Sequence, residues 1–422
     1  MITPAATATQ ADWLDLSASL QYRYEWLQQQ YDAGNREDHA LMLRSNARAD
    51  MDLRYLDATV ELMDSRIHTV HSDTPINNAM VNPVDVLQAY LQFGANSFSV
   101  KLGRFTQDIG SRRFMARNRY RNTINAFDGI NARWQVNDDL TLRAFHSFPV
   151  ERRYRGDPRD NKPKADRSHH NRQFSGLLLE GAHLPLDSSG ELYLFALNED
   201  DTGGLQTRNR ELYSLGARLL RAATPGRLDH ELEVLYQSGS SRRSRAPADI
   251  DTLDHSASFL HAELGYQFNT PWHPRLQLSY DYASGDSDPN DDENNGLDSL
   301  YGVPRGDFGP TGIYRILVRN NISSPAVRLE LKPALRWTLN TELRGAWLAE
   351  EADTSPSSGL DSGNPNGSRH LGTQLEIVLR WQAIPKRLRL ETGTAYFLGS
   401  EALRDRGIED KIYVYFQTGI SF

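Results

Sequence analysis

The chain has 422 residues, no cysteine and a formal net charge of −8 at pH 7. The missing cysteine excludes a disulfide framework and thiolate metal sites, and the acidic balance argues against a nucleic-acid partner. Its mean hydropathy is polar, and no stretch approaches the ~18–20 apolar residues of a membrane-spanning helix.

The chain opens MITPAATATQ, without the basic and apolar regions of a signal peptide. A cytosolic protein fits this start, and so does a mature exported form with an added start methionine; the alternation along the rest of the chain favours the second. From Leu14 to Trp26 the even positions are Leu14, Leu16, Ala18, Leu20, Tyr22, Tyr24 and Trp26. The odd ones are Asp15, Ser17, Ser19, Gln21, Arg23 and Glu25. Successive strand side chains point to opposite faces, so this segment reads as a strand with one oily and one charged face. The pattern recurs down the chain. Leu56, Ala58, Val60 and Leu62 oppose Asp57, Thr59 and Glu61, and Leu260, Ala262, Leu264, Tyr266 and Phe268 oppose His261, Glu263, Gly265 and Gln267. Leu371, Thr373, Leu375, Ile377, Leu379 and Trp381 oppose Gly372, Gln374, Glu376 and Arg380.

About eighteen such segments of roughly ten residues, the length of a tilted bilayer-crossing strand, start near residues 13, 40, 54, 86, 97, 127, 139, 173, 191, 212, 230, 258, 275, 322, 336, 370, 388 and 411. Two are irregular: both faces are apolar around Leu177, Leu178 and Leu179, and the segment near 322 contains Pro325. Short links (94–96, 136–139, 269–274, 383–387) take turns with long ones (104–126, 149–172, 238–257, 284–321, 349–369). The expectation is an all-β transmembrane antiparallel β-barrel in a Gram-negative outer membrane, with short periplasmic turns, long extracellular loops, an even strand number and both termini periplasmic. Residues 1–12 would be a periplasmic segment and 13–422 one barrel domain. Tyr24, Trp26, Tyr280, Tyr282, Trp337, Trp347, Trp381 and Tyr396 lie near segment ends, where aromatic girdles sit. A soluble solenoid or propeller would show a fixed repeat period, and none is present.

Inward side chains of a wide barrel line a water-filled channel. Parity places Arg44, Arg48, Arg133, Arg143 and Arg344 on that face, many beside acids that would form salt bridges across the wall. A denser cluster holds Lys101, Arg104, Arg112, Arg113, Arg117, Arg119 and Arg121 against one acid, Asp108. It falls in the third external loop, a position at which general porins fold a loop into the pore. Arginine rings select anions, and the planar guanidinium suits carboxylates; the alternative is a solvated loop that binds lipopolysaccharide phosphate. These twelve residues are the expected substrate path. In the acidic run 286–293, Asp286, Asp288 and Asp291 offer hard oxygen ligands without the spacing of an EF-hand, so a solvated loop is the preferred reading. No cofactor is expected. His146 and His169-His170 show no ligand spacing, and no pairing of His with Ser or Asp stands out, so no enzymatic activity is expected.

The terminus KIYVYFQTGISF keeps Ile412, Val414, Phe416, Thr418, Ile420 and Phe422 on one face and resembles the C-terminal signature of bacterial outer-membrane barrels. Leu102-Gly103-Arg104-Phe105 with Gly110-Ser111-Arg112-Arg113, Phe127-Asp128-Gly129-Ile130, the run from Tyr280 to Asp286, and Tyr301-Gly302 resemble the alginate-export family of outer-membrane porins. That resemblance implies an eighteen-stranded barrel with an arginine-rich constriction, and export of an anionic polyuronate with the help of periplasmic export partners. Outer-membrane lipid and lipopolysaccharide would surround the barrel. Uptake of small organic anions or sugars, and general diffusion, stand as the alternatives, with a plugged partner-binding barrel as a further class.

Overall fold

The computed structural model describes residues 12–28, 37–72, 74, 76–95, 97–118, 120–153, 156–202, 205–310, 313–314, 316–353, 368–405 and 407–422. Eighteen long strands follow one another around a closed antiparallel sheet. They are β1 (Leu14–Gln28), β2 (Asp38–Asp52), β3 (Asp57–Thr69), β4 (Asn82–Ala95), β5 (Phe98–Phe105) and β6 (Phe127–Gln135). Then come β7 (Leu140–Glu151), β8 (Arg172–Leu184), β9 (Ser188–Glu199), β10 (Glu211–Arg221), β11 (Leu228–Ser241) and β12 (Leu253–Gln267). The last six are β13 (Arg275–Ala283), β14 (Ile322–Leu331), β15 (Trp337–Trp347), β16 (His370–Ile384), β17 (Leu388–Gly399) and β18 (Lys411–Ser421). Each pairs with its neighbours, and β1 meets β18 from Ser19↔Ser421 to Gln28↔Ile412, so no edge is left to pair with another chain. Strands β4, β9 and β12 begin three or more residues earlier than the apolar alternation suggested. Their ladders continue past the oily band, where the wall no longer needs an apolar outer face.

The alternation is turned inside out relative to a soluble protein. Arg23 and Glu25 are fully buried while their neighbours Tyr22 and Tyr24 are exposed. Leu192, Leu215, Leu264, Leu278 and Leu343 continue the exposed apolar band around the wall. Aromatic rings collect at both ends of the strands: Trp337 stacks on Trp381 at 5.0 Å at the short-turn end, and Trp347 meets His370 at 5.1 Å at the long-loop end. Arginine on the lipid face near the bilayer midplane costs about 2–4 kcal/mol in such barrels. Leu215→Arg, in the middle of β10, is therefore expected to lower the stability of the barrel refolded into vesicles by about that much; an unchanged denaturant midpoint would contradict a lipid-facing Leu215.

Both irregular segments have local explanations. In register, Pro325 on β14 stands opposite Gly345 on β15, where it has no N–H to give, and the Ser324 hydroxyl donates instead to the Gly345 carbonyl at 2.6 Å. Around Leu178 the inner face is apolar because the lumen there is packed rather than wet. Leu178, Phe174, Tyr193 and Phe195 belong to a core shared with Phe114 and Met115 of the 106–126 loop, Phe308, Tyr314 and Leu317 of the 284–321 loop, and Met80 and Val81 of the 70–81 loop. Three long loops thus fold into the long-loop half of the barrel.

Candidate functional site: a basic vestibule beneath inserted loops

The 106–126 loop leaves β5 and reaches across the lumen. Arg113 donates to Glu231 and, at 2.7 Å, to Glu233, both on β11; it also forms a two-pronged pair with Asp307 at 3.0 and 3.1 Å. Burial opposes the guanidinium charge, but Asp307, Glu233 and Glu231 outweigh it and raise its pKa above the ordinary arginine value. Farther along, the Tyr120 ring lies between two cations, Arg23 at 4.3 Å and Arg305 at 4.8 Å, and its hydroxyl is 3.4 Å from that of Tyr413. The 284–321 loop runs alongside: Ala116 N–H donates to the Tyr301 carbonyl (3.1 Å), Tyr301 N–H to Phe114 (3.0 Å) and Val303 N–H to Arg112 (3.1 Å). Between those bonds lies Gly302, where a Cβ would collide with the Arg113 carbonyl. Gly302→Ala is expected to part the two loops and increase protease nicking within 106–126, while the barrel keeps its folded mobility on an unheated gel. Nicking equal to wild type would count against this packing.

Below these loops lies a cavity of about 710 Å³ that extends to the short-turn end, where Lys386, Arg387 and Ser421 line it. Its basic residues are Arg44, Arg112, Arg305, Arg328, Arg380, Lys386, Arg387 and Arg389; its acids are Asp108, Glu342, Glu376 and Glu391. Eight cations against four anions leave an excess of four positive charges. The acids are shared: Glu391 pairs with both Arg380 (2.8 Å) and Arg389 (2.6 Å), and also accepts from the Tyr415 hydroxyl at 2.8 Å. Glu376 pairs with Arg305 at 2.7 Å. Arg112, held in the left-handed region at φ 69°, is exposed to the cavity and forms no ion pair with a described residue. A second cavity of about 600 Å³ at the same end is lined by Asp15, Asp50, Asp52, Asp57 and Arg48 among others.

The twelve basic residues expected in the path fall into several environments. Arg44 lines the vestibule and donates to Gln21 (2.7 Å) and to the Arg121 carbonyl (3.1 Å), so it also holds the inserted loop. The Arg121 side chain is half-buried. Arg48 faces inward but pairs with Asp50 at 2.5 Å and lies 3.8 Å from Glu61; Arg117 lies 3.9 Å from the same Glu61. Lys101 stands over the Tyr90 ring at 4.7 Å. Arg133 and Arg143 are directly opposite on β6 and β7, and Glu180 pairs with Arg143 at 2.8 Å, relieving the like-charge contact. Arg344 is buried against Asp281 (2.9 Å) and Glu342 (2.9 Å), and Arg113 is likewise enclosed by acids. Arg119 lies outside the described residues.

Arg104 corrects the expectation. It shares the outer face of β5 with Leu102, while Gly103 and Phe105 point inward, and it pairs with Asp128 on β6 at 2.7 Å. Grouping it with the loop arginines overlooked the strand parity that still governs position 104. Arg305, Lys386 and Arg387, by contrast, were not expected. Arg305 sits in a long loop with no periodicity to place it, and the other two belong to a turn.

The short sequence motifs meet one another in space. Gly103 stands opposite Gly129, Arg104 opposite Asp128, and Phe105 opposite Phe127. Tyr301-Gly302 packs on the loop carrying Arg112 and Arg113, and Asp281 receives Arg344 and His261. Among the acidic candidates, Asp288 and Asp291 accept the N–H groups of Asn290 (3.0 Å) and Glu293 (2.9 Å) as turn formers, and the Asp286 N–H donates to Asp353 of another loop at 3.0 Å.

Closure, an apolar outer band and a charged lumen define an outer-membrane channel of the porin type. Residues 12–416 match the family described as alginate export, and the chain belongs to that family. No curated protein matches it in sequence. Solved structures share its fold. Pseudomonas aeruginosa OpdO is 14% identical with a TM-score of 0.62, covering 98% of each chain. Pseudomonas aeruginosa OpdK with vanillate is 12% identical with a TM-score of 0.61, covering 97% of this chain and 98% of that one. Acinetobacter baumannii OccAB4 is 10% identical with a TM-score of 0.60, covering 98% and 99%.

Proposed function

We propose that the barrel passes a hydrophilic anion, and that the basic vestibule is the chamber in which the anion first loses its bulk counterions. The observation that carries this is the excess of four positive charges around the cavity, with Arg112 at its roof forming no ion pair among the described residues. In outer-membrane barrels the short turns are periplasmic, so in this reading the vestibule and both termini face the periplasm. A vestibule open to the periplasm and lined with guanidinium groups suits a carboxylate-bearing chain leaving the cell, so export of an alginate-like polyuronate is the specific form, supported by membership of the alginate-export family. Uptake of small organic anions is the second reading, favoured by OpdK, a barrel of the same fold solved with vanillate, which is a carboxylate.

The test is single-channel conductance and reversal potential in a planar bilayer under a KCl gradient. Anion preference with block by added polyuronate supports export. Anion preference blocked by small aromatic carboxylates, and not by polyuronate, favours uptake. A cation-preferring pore defeats both.

A further inference from the structure

We propose that Asp286 and Asp353 bind a divalent cation, calcium by its coordination chemistry, which ties the β13–β14 loop to the β15–β16 loop. Both residues lie in loops beyond the strand ends, yet Asp286 is 6% and Asp353 1% exposed. The Asp286 N–H donates to Asp353 Oδ2 at 3.0 Å, which brings the two side chains to one place. Asp286 Oδ1 is buried and accepts no hydrogen bond from a described residue. A buried carboxylate oxygen without a donor is costly, and a bound cation would offset that cost.

The local charges point the same way. The negative charges of Asp353 and Asp291 act on the Asp286 carboxylate, against the Asn295 N–H that donates to it. The nearby cation Arg243 has a weaker effect than Asp353, and its guanidinium donates to the Pro289 carbonyl. The two loops are already fastened next to the acids. Asn321 Nδ2 donates to the Glu350 carbonyl at 2.9 Å, and Glu350 N–H donates to Asn321 Oδ1 at 2.7 Å. A cation between Asp286 and Asp353 would meet preorganised walls rather than two free loops. Two carboxylates on irregular backbone suit calcium, which accepts six to eight oxygens in flexible geometry, better than magnesium with its strict octahedron.

The measurement is calorimetric titration of calcium chloride into the full chain, refolded without lipopolysaccharide in detergent micelles, with folded gel mobility confirmed for each variant. Wild type is expected to bind calcium at one site. Asp286→Asn and, separately, Asp353→Asn should each weaken it by at least about tenfold, the lower end of what losing even an outer-shell partner costs a metal site. The double variant Asp288→Asn/Asp291→Asn should bind like wild type. No calcium heat in wild type overturns the proposal. So does unchanged affinity in either single variant, or loss confined to the Asp288/Asp291 variant. Because binding and not conductance is read, failure here is separate from failure of the channel reading.

Discussion

Arg113→Ala is expected to raise single-channel conductance and to destabilise the protein together. The side chain is the far anchor of the 106–126 loop, and its removal leaves Glu231, Glu233 and Asp307 crowded in a buried space. Deleting one partner of a buried ion pair costs about 3–5 kcal/mol, because the remaining charge is uncompensated. Arg319 still pairs with Asp307 and donates to the Arg113 carbonyl at 2.7 Å, so the loop backbone keeps one tether. The loop can relieve the repulsion by withdrawing from β11, which widens the lumen. Conductance in bilayers and the unfolding midpoint of the refolded barrel check the two halves. Wild-type conductance in the variant would show that the loop does not narrow the channel.

The second large effect concerns selectivity. Replacing Arg112, Arg380 and Arg389 together by alanine removes three of the four excess positive charges and leaves Glu391 with only the Tyr415 hydroxyl. At 0.1 M salt the Debye length is about 10 Å, so charges lining a chamber of this size act on every ion inside it. The reversal potential under a KCl gradient should fall most of the way to zero in the triple variant. At 1 M salt, where the Debye length is about 3 Å, wild type and variant should converge. Arg104→Ala is the control: it removes an arginine from the same stretch of sequence but from the outer wall, and selectivity should not change. A shift in Arg104→Ala equal to that of the triple variant would rule out the vestibule as the selectivity site.

The barrel itself was legible because its cause is local. A bilayer outside and water inside force period-two alternation on each strand, and Leu14 to Trp26 shows it without reference to any other residue. The short and long links likewise reported the topology, and the third external loop was singled out by charge alone. What the loops do inside the lumen was not legible. The apolar inner face at Leu178 read as irregularity, because Phe114, which shares its core, lies in a loop far away in sequence. The path of 284–321, which brings Arg305 over Tyr120 and Asp307 to Arg113, carries no periodic signal.

Sequence alone therefore determined the strand succession, the face each strand residue takes, and the concentration of arginine in one loop. Only the tertiary structure decided which arginines carry free charge into the lumen. Arg112 and Arg113 are neighbours of identical chemistry, yet Arg113 is neutralised by acids 118, 120 and 194 positions away, and Arg112 faces the vestibule. A strand's period fixes where a side chain points, because pleating is a property of the backbone. Whether a charge there is compensated depends on which distant segments the closed barrel brings within about 3 Å, and no local pattern encodes that distance.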